Sequence, residues 1–233
     1  MREAGDLAGR HLVEVGPGPG GLTRALLASP ARSVLAVEID PRAVAAVEEL
    51  RESHPERLRV LHADALSLDL AALVPAPRQI VANLPYNVAT PLLVGWLRQG
   101  SCWERLTLML QLEVAERVCG RPGTSAYGRL AVLTQWTCAA SVAMRLPPTA
   151  FTPPPRVWSA VVVLVPRPEQ PEPALFAIME RLTAAAFGQR RKMLRGALRS
   201  LGGDALLAKA GIAPERRAET LTPAEFERLA RQL

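Results

Sequence analysis

The sequence predicts an α/β fold, a mostly parallel β-sheet with helices on both faces, followed by a small all-helical C-terminal domain. Three observations carry this. Short apolar runs alternate with Ala-, Leu- and Glu-rich stretches from residue 11 to about 118, the pattern of repeated βαβ units. Glycine, acidic or amide residues punctuate the downstream end of each of the first four runs. Beyond 166–173, where four of eight residues are proline and which reads as a linker, helical periodicity dominates to the end. The predicted division is therefore 1–167 for the sheet domain and 168–233 for the helical one.

The elements follow in order. A short polar start ends at Gly9-Arg10, and His11-Leu12-Val13-Glu14-Val15 reads as a first strand. Gly16-Pro17-Gly18-Pro19-Gly20-Gly21 follows at once, then an amphipathic helix over about 22–28. Strand two covers 33–39. Pro41 suits the first turn of the next helix, to about 52, because its missing N–H would find no partner there. Strand three is 58–61, trailed by His62-Ala63-Asp64-Ala65, and a fourth run over 79–82 leads into Asn83-Leu84-Pro85-Tyr86. Next come a helix at 90–98, a strand at 105–110 and a helix from about 113. One further helix is expected over 127–142, then two β segments within 144–165, interrupted by Phe151-Thr152-Pro153-Pro154-Pro155. Tail helices are expected at 175–187, 190–201, 204–210 and 223–233.

Composition narrows the function classes. With 233 residues, 49% of them hydrophobic, the chain can bury a full core plus an appendage. A net charge of +6, carried by Arg far more than Lys, suits a polyanion such as nucleic acid, although a general bias towards Arg would give the same excess. Cys102, Cys119 and Cys138 are odd in number and far apart, and His11, His54 and His62 stand at no ligand spacing to them. Neither a disulfide framework nor a zinc site is supported, so a reducing cytoplasm is expected. No apolar run reaches the ~18 residues of a membrane span.

The chemistry concentrates at the strand ends. Gly16, Gly18 and Gly21 match G-x-G-x-x-G, which lets a ligand approach the backbone N–H groups opening a helix. The pattern leaves two ligands open: a dinucleotide pyrophosphate, or the carboxylate of S-adenosylmethionine. Glu38 stands where a carboxylate accepts ribose hydroxyls, and Asp64 where it accepts from an adenine amino group, with the Ala65 N–H donating. Any of these could instead cap a helix. At Asn83-Leu84-Pro85-Tyr86 an amide and a carbonyl supply two acceptors, Pro85 stiffens the turn and Tyr86 offers a flat ring. That set suits the exocyclic amine of a swung-out base. Phe151, before three prolines, is the candidate second face of an aromatic sandwich.

Val13-Glu14-Val15-Gly16-Pro17-Gly18, Glu38-Ile39-Asp40, Asp64-Ala65 and Asn83-Leu84-Pro85-Tyr86-Asn87 resemble the cofactor and target motifs of the ribosomal RNA adenine N6-dimethyltransferases. Met109-Leu110-Gln111, Ala126-Tyr127-Gly128-Arg129-Leu130, Phe151-Thr152-Pro153-Pro154-Pro155-Arg156-Val157 and Phe187-Gly188-Gln189-Arg190-Arg191-Lys192 extend the resemblance over nearly the whole chain. The tail is more similar to the bacterial small-subunit (16S) branch, linked to kasugamycin sensitivity, than to the macrolide-resistance enzymes that modify 23S RNA.

The resemblance implies a Rossmann-like class I methyltransferase fold and S-adenosyl-L-methionine as cofactor. It implies transfer of two methyls to N6 of each of two adjacent adenosines near the 3′ end of 16S rRNA, within a small-subunit precursor and by a monomer. Gly16, Gly18, Glu38, Ile39, Asp64, Ala65 and Asn83 would contact cofactor; Asn83, Leu84, Pro85, Tyr86 and Phe151 would hold the target base. Arg190, Arg191, Lys192 and Arg195 form a basic run, continued by Arg199 on one expected helix, suited to RNA phosphates. Three departures stand out: no Gln-Asn-Phe-Leu motif precedes strand one, Leu112 occupies a usually basic position, and Trp158 a usual Asp. Two rival classes remain at this point: a nicotinamide-dependent dehydrogenase using Gly16–Gly21, and an RNA-binding assembly factor that has lost efficient turnover.

Overall fold

The computed structural model describes residues 2–189 and 191–233. The chain divides into two compact units, Met1–Ala115 with Ser141–Pro166, and Glu116–Ala140 with Arg167–Leu233. A division at 167/168 counts 116–140 with the sheet. Those residues fold with the tail because their aromatic rings bury there, Tyr127 edge-on to Phe187 and Trp136 stacked on Phe176.

The first unit runs β1 (His11–Val15), α1 (Gly21–Leu27), β2 (Ser33–Glu38), α2 (Pro41–Ser53), β3 (Leu58–His62), α3 (Leu70–Leu73), β4 (Arg78–Asn83), α4 (Ala89–Gln99) and β5 (Arg105–Gln111). After α5 (Leu112–Val118) and α6 (Arg129–Thr137) come β6 (Cys138–Leu146) and β7 (Ser159–Pro166). The sheet order is β3-β2-β1-β4-β5-β7-β6. The first five strands in that order are parallel, and β7 runs antiparallel to β5.

The inner strands β1, β2, β4, β5 and β7 form because their sequences are rich in Leu, Val and Ile, as strands covered on both faces require. On one face Leu12, Val34, Ala36, Leu58 and Val81 pack with Leu26 and Leu27 of α1 and Val47 of α2. Each such side chain contributes ~1.5–3 kcal/mol by leaving water. Arg57 holds the end of α1 against this layer by donating to the carbonyls of Leu27, Ser29 and Ala31 at 2.8–3.0 Å. The chain builds outward from β1 to β3, then returns to place β4 on the other side of β1. The parallel strands deliver their C-terminal ends to one edge, with a switch point between β1 and β4.

Two sequence expectations fail here. The helix expected over 127–142 ends at Thr137, and Cys138 opens a strand. The β6 residues Ala139 to Val142 alternate between exposed and half-buried, a period-2 pattern that short Ala and Ser side chains conceal in the sequence. The proline-rich stretch is no free linker either: the Arg167 N–H and Gln170 Nε2 both donate to the Thr137 carbonyl.

In the second unit α7 (Pro173–Gly188), α8 (Leu194–Ala197), α9 (Gly203–Lys209) and α10 (Pro223–Ala230) follow. One helix was expected over 190–201. Instead Met193 is extended, and the N–H groups of Leu194 and Arg195 donate to the carbonyls of Arg216 and Pro214. These pairings replace the bonds a continuous helix would make. Phe226 and Phe187 lie with ring centroids 5.6 Å apart, and Tyr127 donates to the Leu221 carbonyl at 2.7 Å. No helix among the described residues is long and apolar enough to cross a membrane.

Candidate functional site

The expected cofactor and target residues gather along the edge where the parallel strands end. At the switch point Gly16 has φ 70°, and a Cβ there would lie 3.0 Å from Cδ of Pro85. Only glycine lets the loop after β1 close so tightly on the loop after β4. Gly18 also has positive φ, 53°, with open space around its missing side chain.

Glu38, the last residue of β2, is buried and already engaged. Its Oε1 accepts from the N–H groups of Ile39 (2.8 Å) and Asp40 (2.9 Å), and Oε2 from that of Gly18 (3.2 Å). The carboxylate therefore ties the tip of β2 to the glycine loop, and Oε2 keeps a further lone pair for a hydroxyl. Beside it Ile39 is 64% exposed, an apolar face at the end of a buried strand. The tip is knitted to β3 by the Ala63 N–H, which donates to the Glu38 carbonyl at 2.9 Å.

Asp64 is exposed, and its Oδ1 accepts from the Leu66 N–H at 2.9 Å. It thus caps the turn that begins at Ala65, while its other oxygen points to no partner among the described residues' hydrogen bonds. Asp40 caps α2 and accepts from Arg42 through side chain and backbone, which holds its pKa down at about 2.

Asn83 ends β4 with its side chain exposed, opposite Met109 of β5, whose carbonyl accepts from the Leu84 N–H at 3.2 Å. Leu84 buries its side chain, which anchors the turn. A cleft of about 280 Å³ is lined by Asn83, Leu84, Pro85, Tyr86, Phe151, Pro153 and Pro155. All five residues expected to hold a target base thus line one cavity. The Tyr86 hydroxyl lies 3.1 Å from Oγ of Ser159, a fully buried residue at the start of β7, so the ring is held by its far end.

Two residues were missed. Ser159 gave no signal beyond being a polar residue opening a strand. Glu14 did give one, as a charge inside the apolar run of β1, two positions before Gly16. It is fully buried and accepts from the Thr23 hydroxyl at 2.7 Å. Burial pushes its carboxyl up to about 7; the Thr23 bond opposes the rise and the Glu38 charge adds to it.

The basic run is less coherent than expected. Arg190 lies outside the described residues. Arg191 and Lys192 are exposed in a turn, and Arg195 is paired with Glu215, with Asp204 at 4.0 Å. Met193 is extended between Lys192 and Arg195, so Arg191, Lys192, Arg195 and Arg199 form no single helical face.

Comparison with known proteins fits this geometry. The chain matches the family model of ribosomal RNA adenine dimethylase over residues 8–233. It is 67% identical to the ribosomal RNA small subunit methyltransferase A of Gluconobacter oxydans, over 97% of this chain and 75% of that protein. It is 53% identical to the protein of the same name from Paramagnetospirillum magneticum, over 100% of this chain and 83% of the other. Among solved structures, a dimethyladenosine transferase from Plasmodium falciparum shares the fold with TM-score 0.79 at 23% identity, over 98% of this chain and 91% of that one. The 23S rRNA methyltransferase ErmE superposes with TM-score 0.69 at 28% identity, over 100% and 94%. By the extent of the family match and the identity to these relatives, the chain belongs to the ribosomal RNA adenine dimethylase family.

Proposed function

We propose that the protein transfers methyl groups from S-adenosyl-L-methionine to N6 of two adjacent adenosines near the 3′ end of 16S rRNA, acting as a monomer in the cytoplasm on a small-subunit precursor. The observation that carries this reading is the single cleft shared by Asn83, Leu84, Tyr86 and Phe151, with its loop packed against Gly16. The small-subunit substrate is favoured over a 23S one by the 67% identical relative, against 28% for ErmE.

The residues present suit the cofactor. Gly16 and Gly18 leave a backbone cradle without side chains, Glu38 keeps an acceptor for a ribose hydroxyl, exposed Ile39 offers an apolar face to a purine, and Asp64 with Ala65 stands at the adenine end. When bound, the cofactor supplies a methyl group on a positively charged sulfur. The chain's own residues prepare the acceptor.

An adenine amine is a weak nucleophile because its lone pair is delocalised into the ring. The Asn83 side-chain oxygen and the Leu84 carbonyl accept its two N–H bonds and draw the nitrogen towards a pyramidal shape. Neutral hydrogen bonds contribute about 1 kcal/mol each. Alignment of two bound reactants supplies more, up to ~7–11 kcal/mol. Pro85 keeps the turn stiff, and Tyr86 and Phe151 stack on the base at ~1–3 kcal/mol each. No strong base is required, since the proton becomes acidic only as the new bond forms. The monomethylated amine retains one N–H, so it must turn about its C–N bond before the second transfer.

Asn83→Ala should lower single-turnover methylation of undermethylated small subunits about 100-fold, with folding unchanged because the side chain is exposed. A near wild-type rate overturns the mechanism. Calorimetric titration should show binding of S-adenosylmethionine and none of NAD, and the reverse would point to a dehydrogenase.

A further inference from the structure

A second cavity, of about 480 Å³, lies wholly within the helical unit. One wall is Trp136 of α6 with Glu227 and Arg231 from the end of α10; the other is the proline-rich stretch 167–171. Its size falls in the ~300–1,000 Å³ range of small-ligand sites. The two walls differ in how far their polar groups are satisfied. On the first, Glu227 accepts from the Trp136 indole N–H at 3.0 Å and from the Arg231 guanidinium at 2.5 and 2.9 Å. Phe176 stacks on the Trp136 ring and holds it in place. That wall is complete in itself.

The second wall is stiff, yet its charges are idle. Pro168 and Pro171 fix φ along it. Gln170 Nε2 donates to the carbonyls of Thr137 and Arg167 at 2.9 and 2.7 Å, and Arg167 Nε to that of Gln135 at 3.1 Å. The terminal nitrogens of Arg167 and the whole Glu169 carboxylate have no hydrogen-bond or ion-pair partner among the described residues. They do not pair with each other, although they stand two positions apart in the chain. Other arginines of this unit do find carboxylates: Arg129 meets Glu180, Arg195 meets Glu215 and Arg216 meets Glu225. On the same wall Gln170 Oε1 is buried without a partner, a further acceptor short of a donor.

A ligand that meets both idle groups presents an acceptor to the guanidinium and donors to the carboxylate. Guanine does so along one edge: O6 accepts, while N1–H and the N2 amine donate side by side, as two carboxylate oxygens require. Adenine, cytosine and uracil each offer a single donor group on that edge. A flat base also suits walls that carry an indole and two proline rings. We propose that this cavity holds one unstacked guanosine of the RNA substrate, its base edge read by Glu169 and Arg167. Sequence-specific recognition of RNA works on such unstacked bases, whose hydrogen-bonding edges are free. The proposal rests on the RNA reading above and adds to it a nucleotide site whose lining is separate from that of the target-base cleft.

The test turns on the sign of a charge effect. Near a polyanion, neutralising a solvated carboxylate leaves affinity unchanged or raises it, because repulsion falls. Neutralising a carboxylate that reads a base lowers it. Glu169→Gln should therefore weaken binding of undermethylated small subunits about 5- to 150-fold. Arg167→Lys, which keeps the charge and loses the planar fork, should weaken it comparably. Both side chains are exposed, so equal melting temperatures should exclude misfolding as the cause. Particles carrying 6-thioguanosine should crosslink under near-ultraviolet light to residues 167–171 or Trp136, and Glu169→Gln should suppress that crosslink. Equal or tighter binding by Glu169→Gln, or crosslinks that avoid both walls, overturns the proposal. So does a loss of affinity without any crosslink at the cavity, which assigns it to a protein segment of the particle. Binding of free GMP, with particle affinity unchanged in both variants, makes the cavity a mononucleotide site and overturns the RNA assignment. Failure of the wild-type protein to bind or methylate particles at all would instead refute the function on which the proposal stands.

Discussion

The strand ends of the sheet and the packed interior of the helical unit treat similar side chains in opposite ways. In the helical unit Tyr127 and Phe226 each meet Phe187, Trp136 stacks on Phe176, and Glu225 takes bonds from Arg216 and from both the backbone and hydroxyl of Thr222. At the strand ends, Ile39 and Tyr86 leave apolar surface in water and Asn83 leaves an amide there. The first region spends its interactions on itself, and the second withholds them for something else. Burial and partner satisfaction therefore separate scaffold from site more sharply than residue type does, since both regions contain aromatics and carboxylates.

The contrast can be broken most severely in the scaffold. Phe226→Ala should cost ~3–5 kcal/mol through the cavity it leaves, read as a large drop in urea midpoint. Glu14→Gln probes a buried site carboxylate. The folded protein holds that proton up to about 7 while the unfolded chain releases it near 4.5, so wild-type stability falls as pH rises between those values. The variant, free of that penalty, should gain on wild type across this window by on the order of 3 kcal/mol and hold the gain above it, seen by thermal melts from pH 4 to 8. Equal pH profiles would show that Glu14 is not desolvated.

Glu225→Gln should cost about 1–2 kcal/mol at pH 7. The Arg216 bonds lower the Glu225 pKa to about 2 from an ordinary 4.5, so its contribution is present above 4.5 and lost as pH falls towards 2. The gap between variant and wild type should close over that range. Ser159→Ala is the mildest: a stability loss of ~1 kcal/mol or less, because Tyr86 can turn its hydroxyl to water, with kcat down roughly three- to tenfold as the ring loosens. A stability loss without any kinetic effect would move Ser159 into the scaffold.

The parts legible in the sequence were those where backbone chemistry demands particular residues. Gly16 is required by positive φ beside Pro85, Asn83 ends a strand whose apolar run is unmistakable, and Asp40 with Pro41 signals a helix start. Illegible parts depend on distant partners. Ser159 matters only through Tyr86, and the break at Met193 only through the carbonyls of Pro214 and Arg216. Thr137 and Cys138 change from helix to strand where neither periodicity is strong.

The helical unit is assembled from two separated stretches of chain, and this orders events during synthesis. Tyr127 and Trp136 emerge well before Phe187 and Phe176, the rings they will lie against. Until then a newly made chain carries a parallel sheet nearing completion beside a sticky aromatic segment with nowhere to go. Premature termination ahead of Phe176 would leave that segment uncovered, a ready target for chaperones and proteases.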